Sequence, residues 1–503
     1  MTASIRRAAT LVVILAAVPA TAHTQCPDGT PPPCGRAGRG APNQNSVAVL
    51  YFENLSRDSG DTYLADGLTE ELTSRLGEVQ RLRVTGRSAV RRAQQSAAGD
   101  FSALGRALGV RYVVEGSVRR AAQTVRVSVR LLRASDGFRV WGETYDRGIT
   151  DILALEGEIA GQVVTNVVGR LLPGERTTLT ARRTSDPAAY DYFLRGNYFT
   201  GRRSATAFRL AVEAFDLALQ HDPGFAAAEA RRAYVYALAR TYGADWVPAE
   251  SLAARAGRYA EHAIRLDSMS SDAWLAQAGV ALIAQDLVRG RAAVARAVAL
   301  DPRNPEAVHS LGVILAWLGA DEPAIAQLQA ALRLDPARAV DLLDLALVQQ
   351  GRRRFDEALR LLDSAIAIDP ELGRTHMARA RVRLALGDVA GARHDAAEAV
   401  RLVSPGFRAE ARAVAALTDA AAGDTVAANG RLAEIVGAAP GSWGHVLALL
   451  ALGRDDSALT VLEGVHPELG LWNGLAMPAF DRVRASPRFQ RVLAAWRPVG
   501  AVR

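Results

Sequence analysis

Aspartates followed by proline or an equivalent stop recur through the second half of this chain, at Asp222, Asp267, Asp301, Asp335 and Asp369, with Val403 in the same register. Their spacings are 45 and then 34 four times. A sustained period of this length means a repeated pair of antiparallel helices, a unit that cannot bury its apolar face alone and so stacks on its neighbours. The columns agree: Ala324, Leu328, Ala331 and Pro336 return one period later as Ala358, Leu362, Ala365 and Pro370, and Leu311-Gly312 returns as Leu345-Ala346. Small residues let the paired helices approach, and the proline ends the second helix. The first copy keeps Ala211, Phe215, Ala218 and Pro223; the second carries an insertion near Ala244 to Pro248 that lengthens its period to 45. Beyond Pro405 the columns weaken, although Ala458 and Leu462 fit one more copy. About six to eight repeats are expected, an all-α solenoid over residues 186–480 with 481–503 as a cap or tail.

These columns are similar to those of the tetratricopeptide (TPR) family. The resemblance implies a groove lined by the first helix of each pair, which takes extended or helical peptide segments. The period then places His309, Val313 and Trp317 in the groove, followed by Leu343, Leu347 and Gln350, and by Met377, Arg381 and Leu384. Chaperone-binding members of the family hold a terminal carboxylate with lysines and asparagines, which are missing at these places. The implied groove is apolar with Arg374, Arg379 and Arg381 at one end, suited to a hydrophobic peptide with an acidic flank.

The region before the repeats reads differently. Val47 to Phe52 (VAVLYF) is a continuous apolar run typical of a buried strand, and Leu64, Leu68, Leu72 and Leu76 then mark one face of a helix. Leu82 to Thr85 is a second short strand, Ser88 is placed to cap the next helix, and Phe101, Leu104 and Leu108 mark a third helix. Three β segments follow at Tyr112 to Val118, Val125 to Leu131 and Phe138 to Tyr145, with Asp136-Gly137 as the last turn and a closing helix from Asp151 to Leu172. The expected fold is an α/β domain, a mixed sheet with helices, over residues 46–180.

The stretches VAVLYFENLS, YLADGLTEEL, YVVEGSVRR and WGETYDR, spread from Val47 to Arg147, resemble the TolB amino-terminal-like domain. That resemblance implies that Asp66, Gly67, Glu115, Gly116, Trp141 and Glu143 define the fold, with Gly116 allowing close backbone approach and Trp141 packing in the core. Relatives often carry a kinase, a nucleotide cyclase or a DNA-binding winged helix ahead of this domain. Here a different segment stands in front, so no signalling output is expected.

That segment opens with Arg6 and Arg7, then an apolar run from Ala8 to Val18 and the small residues Ala20-Thr21-Ala22. It predicts a secretory signal over residues 1–22, cleaved after Ala22, and a periplasmic or secreted protein with at most a peripheral association with the envelope. Residues 23–45 read as a linker, in which Cys26 and Cys34 enclose PDGTPPP and are expected to form a disulfide after export.

Chemistry is constrained by what is missing. All 60 basic residues counted as Lys+Arg are arginine, which excludes a P-loop, a protein kinase and a pyridoxal Schiff base, each of which needs a lysine. The first domain has no histidine or cysteine either, and Asp66, Glu70 and Glu71 read as a solvated helix face. No histidine shows metal-ligand spacing. The arginines are scattered and not gathered into a stripe with aromatics, so nucleic acid is not an expected partner. The sequence therefore predicts no catalytic residue, cofactor or metal, and a non-enzymatic exported scaffold that binds partner proteins through the solenoid groove. In this reading the α/β domain docks to or senses an envelope component. The alternative is a regulatory small-ligand sensor coupled to partner recruitment.

Overall fold

The computed structural model describes residues 43–97, 99–121, 124–148, 151–202, 204–241, 246–465 and 474–501. The expected signal, the Ala22 cleavage site, and Cys26 with Cys34 lie outside the described residues, as does part of the insertion before Trp246.

Strands β1 (Ser46–Val49) and β2 (Glu53–Asn54) run in succession along one edge of β4 (Tyr112–Ala121), both parallel to it. Strand β3 (Arg83–Val84) is parallel to β1, while β4, β5 (Thr124–Arg133) and β6 (Arg139–Gly148) form an antiparallel meander. The sheet order is β3-β1-β4-β5-β6. Val47 and Val49 belong to one apolar cluster with Leu64 and Leu72 of α1 (Thr62–Gly77) and Ile159 and Val163 of α4 (Ile152–Val168). Ala48 and Leu50 point the other way, into a cluster with Val90 of α2 (Arg87–Ala97) and Leu104 of α3 (Phe101–Leu108). Both faces of β1 are therefore covered, which is why its sequence is continuously apolar. In β5, Val125, Val127, Val129 and Leu131 are buried while Arg126 and Arg130 are exposed on the uncovered face. A Cβ on Gly116 would lie 2.5 Å from the Phe52 ring and 2.7 Å from the Ser128 carbonyl oxygen, so only glycine lets Phe52 cross the sheet there. Trp141, expected in the core, is half-buried because it sits on the edge strand β6. The closing helix ends at Val168, and a separate α5 (Pro173–Thr180) follows.

Eight antiparallel helix pairs follow among the described residues. They are α6 (Pro187–Gly201) with α7 (Ala205–His221), α8 (Ala226–Thr241) with α9 (Ala249–Leu266), α10 (Ser271–Ile283) with α11 (Leu287–Leu300), and α12 (Pro305–Trp317) with α13 (Asp321–Leu334). The next four are α14 (Ala339–Gly351) with α15 (Phe355–Ile368), α16 (Gly373–Ala385) with α17 (Val389–Leu402), α18 (Arg408–Ala421) with α19 (Thr425–Ala438), and α20 (Trp443–Ala451) with α21 (Asp455–Gly464). The small-residue column explains the close pairing: a Cβ on Gly312 would stand 2.8 Å from Leu328. Beyond the last pair, Phe480 stacks on Trp443 at 5.3 Å and touches Phe489 of α22 (Pro487–Ala495), so aromatic rings close the end of the core.

From Asn43 onward the chain is one compact unit, and its largest apolar cluster runs unbroken from Val47 into the repeats as far as Ala256. Helix α1 is packed between the sheet and α6, and a Cβ on Gly67 would meet Leu194 at 3.0 Å. This second covered side corrects the expectation of a solvated acidic face: Glu71 is 4% exposed. Its charge is met by Arg75 at 3.3 Å and Arg183 at 3.0 Å, and Glu156, fully enclosed nearby, accepts hydrogen bonds from the Tyr190 hydroxyl of α6 at 2.7 and 2.6 Å. Burial pushes Glu156 well above the usual carboxylate range.

The repeat turns take hold of the same layer. Asp335 accepts from the Ser88 and Ala89 amides, both at 3.1 Å, so the N-terminus of α2 is capped from the solenoid and not by Ser88. Its own turn bond, to the Ala337 amide, is stretched to 3.5 Å, whereas Asp301 holds the Arg303 amide at 2.9 Å. The Arg303 guanidinium donates to the carbonyls of Gly77 at 2.8 Å and Gln80 at 3.0 Å, where α1 ends. Anion at a helix start and cation at a helix end both match the helix dipole. Gly86 makes the contact sterically possible, since a Cβ there would sit 2.4 Å from Asp335 Cβ and 2.7 Å from its Cα. Replacing Asp335 with alanine should lower stability by about 1–2 kcal/mol, as loss of a helix cap does. Gly86→Val should cost more because it forces the two elements apart; urea unfolding of both variants measures this, and an unchanged midpoint for Gly86→Val would contradict the interlock.

Candidate interaction surface

Adjacent first helices form the inner face of the solenoid, and the residues near its middle are joined by charge. The Tyr234 hydroxyl of α8 bonds to Glu306 of α12, which also pairs with Arg338 at 2.9 Å. Arg338 reaches Asp341 of α14 at 3.1 Å, and Asp341 lies 2.9 Å from Nδ1 of His309. Nε2 of His309 is 3.6 Å from Asp344, and Asp344 is 3.9 Å from Arg374 of α16, whose guanidinium lies over the Phe407 ring at 5.0 Å. Further along, Arg381 pairs with Glu410 of α18 at 2.7 Å.

Several residues expected to line an apolar groove are instead inside the solenoid. Leu343 is 1% exposed, packed with Ala358, Leu362 and Val382, and Met377 is buried with Ala396 and Val414. Gln350 and His309 are also buried. The physical reason is spacing: the small residues that bring the first helices together also close these positions against the next repeat. Arg379 is held by Asp395 at 2.6 Å and Asp363 at 2.7 Å, so Arg374, Arg379 and Arg381 do not form a free basic end. Val313, Trp317, Leu347 and Leu384 remain half-buried, and with the Asp344–Arg374 couple they are what the inner face presents. The sequence period found the right helices but missed Glu306, Arg338, Asp341 and Asp344; acidic and basic residues a few positions short of one period apart were the available signal.

The last described residues return to the middle repeats. A Cβ on Gly500 would lie 3.4 Å from Val288 and 3.9 Å from Leu318, and Arg353 pairs with Asp481. Among the described residues no cluster of three or more histidine, cysteine or acidic side chains is placed to hold a metal ion, and no helix is long and apolar enough to cross a membrane.

Burial disfavours the charged form of His309, but Asp341 and Asp344 together outweigh it and raise the imidazole above its ordinary value. Burial raises Asp344 above the usual carboxylate range, against the pull of Arg374 and His309.

No protein-family model matches the chain. A stretch of 189 residues is 37% identical to the Rhizobium meliloti (strain 1021) protein named "Putative adenylate cyclase 3", covering 38% of this chain and 32% of that protein. The match therefore spans about a third of the relative's length. It overturns the expectation that the chain is not an enzyme, which was drawn from missing residue types and motifs. Among solved structures, the chain is similar to PilW, described as a widely conserved type IV pilus biogenesis factor, at 18% identity over 44% of this chain and 98% of that one, TM-score 0.37. It is also similar to pilF of Pseudomonas aeruginosa, at 20% identity over 43% and 95%, TM-score 0.35.

Two outcomes follow from the geometry. A protonated His309 between two carboxylates contributes stability that is complete below the unfolded-state pKa of about 6.5 and is lost as pH rises through the higher folded-state value. The stability difference between the wild type and His309→Gln should therefore shrink as the medium is made alkaline, measured by urea unfolding; a difference that does not vary with pH would contradict it. Leu343→Asp should melt the solenoid and not merely blunt its surface, because an unpaired buried carboxylate costs several kcal/mol; circular dichroism melting checks this.

Proposed function

We propose that this chain is an interaction scaffold whose solenoid captures a segment of a partner protein on its inner face while the α/β layer fixes the path of the repeats. The observation that carries this reading is the half-buried strip of Val313, Trp317 and Leu347 beside the loosely closed 3.9 Å couple of Asp344 and Arg374. An apolar side chain gains about 25 cal/mol for each Å² buried on such a strip, and an incoming carboxylate competes with Asp344 for Arg374. Within the same proposal the α/β layer is of the TolB amino-terminal-like kind and docks to or senses an envelope component, and the protein is exported. The alternative, a small-ligand sensor in the α/β layer, is favoured if a metabolite raises the melting temperature by mass action.

The cyclase match supports a second reading, in which the scaffold serves nucleotide cyclisation in this chain or in an assembly with it. Incubation with ATP and a divalent cation tests it, with formation of cyclic AMP above a boiled control as the supporting result. For the scaffold reading, crosslinking and pull-down with Trp317→Ala/Arg374→Ala should recover at least tenfold less partner than the wild type at equal helicity; equal recovery would contradict the inner-face assignment.

A further inference from the structure

The second helices of the second and third pairs carry a face that the inner groove does not use. Together α9 and α11 hold six arginines against two acids, Glu250 and Glu261. Elsewhere in these repeats arginine is neutralised locally: Arg232 pairs with Asp216 and Glu229, both at 2.5 Å, and Arg231 is 3.5 Å from Asp272. Among the described residues no carboxylate is recorded within ion-pair distance of Arg265, Arg289 or Arg296, all of which are exposed. Arg296 instead lies 3.9 Å from the sulfur of Met269.

These cations border two adjoining open clefts, one formed by α9, α10 and α11 and the other by α10 and α11. Trp274, Gln277 and Arg289 line both; Glu261, Ile264 and Arg265 complete one, and Arg296 the other. The rim is apolar as well as basic, since Met269 is 65% exposed and Leu266 is exposed beside Arg265. Gln277 adds the decisive detail. Its Oε1 is shut off from solvent and accepts no hydrogen bond in the folded chain, although it belongs to a residue lining the cleft. A buried acceptor without a donor is destabilising, and a donor brought by a ligand relieves it.

We infer that this face is a docking site for an acidic segment of a partner protein. An apolar side chain of the segment lies on Trp274, its carboxylates engage Arg265, Arg289 and Arg296, and a turn of the Gln277 side chain brings its unpartnered Oε1 out to one of the segment's N–H groups. The leader of the chain itself is the wrong occupant by charge, because residues 1–42 contain Arg6, Arg7, Arg36 and Arg39 against the single acid Asp28. A nucleic acid also matches the arginines and can stack a base on Trp274, but the aliphatic surroundings of Ile264, Leu266 and Met269 suit the apolar side chain of a peptide better. This site is separate from the inner face and is tested apart from it.

The probe is a fluorescein-labelled dodecapeptide of Asp and Glu around one Leu and one Phe, titrated with the full chain at physiological salt and read by fluorescence anisotropy. The expected result is saturable binding that weakens at least tenfold in Arg289→Glu/Arg296→Glu and in Trp274→Ala. Gln277→Leu should weaken it less, and Trp317→Ala on the inner face should leave it unchanged. Because Arg289 and Arg296 are exposed, the double variant should melt with the wild type. Absence of saturable binding, unchanged binding in the double variant, or equally tight binding of a single-stranded DNA dodecamer would overturn the inference. So would self-association in the ultracentrifuge that the double variant abolishes, since that assigns the face to a second copy of this chain.

Discussion

At the end of α13 the carboxylate of Asp335 leaves its own turn and caps the Ser88 and Ala89 amides in the first turn of α2, more than two hundred residues earlier in the chain. Much of the architecture depends on this diversion and on Arg303, which holds the carbonyls at the end of α1 from the preceding repeat. A solenoid on its own contacts only neighbouring repeats and can flex along its length. Here consecutive turns are fastened to one rigid sheet layer, and α1 and α6 share a single apolar core. The buried charges of Glu71, Arg75 and Glu156 lie in that seam with the half-buried Arg183, where loss of one partner would strand another.

Because the layer holds the turns, the inner face has a defined path. The ladder from Glu306 through Arg338, Asp341 and His309 to Asp344 and Arg374 crosses successive repeats, and most of its charge is satisfied internally. What is left for a partner is a narrow strip near Trp317, not the broad apolar groove that the repeat period suggests. A second surface lies on α9, α10 and α11, where Arg265, Arg289 and Arg296 stand beside Trp274 and the unpartnered Oε1 of Gln277. The two surfaces have different chemistry, which suits a scaffold that holds two segments at once.

The helix pairs were legible because a 34-residue period, small-residue columns and Asp-Pro stops are local signals that survive without tertiary information. The β strands were legible for a similar reason: the VAVLYF run and the alternation in β5 report burial directly. What could not be read was anything set by packing between distant segments. Ser88 looked like a helix cap until the Asp335 carboxylate was found in that place. Glu71 looked solvated because the leucine face of α1 shows one buried side and gives no sign of the second, which α6 covers. Leu343 and Met377 occupy groove positions by count yet are sealed by the next repeat. Gly86 is the one clue that was available, a glycine just before a helix with no turn to explain it until Asp335 is set against it.

The central claim is that the α/β layer and the repeats form one cooperative body. Differential scanning calorimetry of the chain tests it most directly. The account predicts a single transition over the described unit, and its division into two when Asp335 and Arg303 are both replaced by alanine. Two well-separated transitions in the unaltered protein would contradict it.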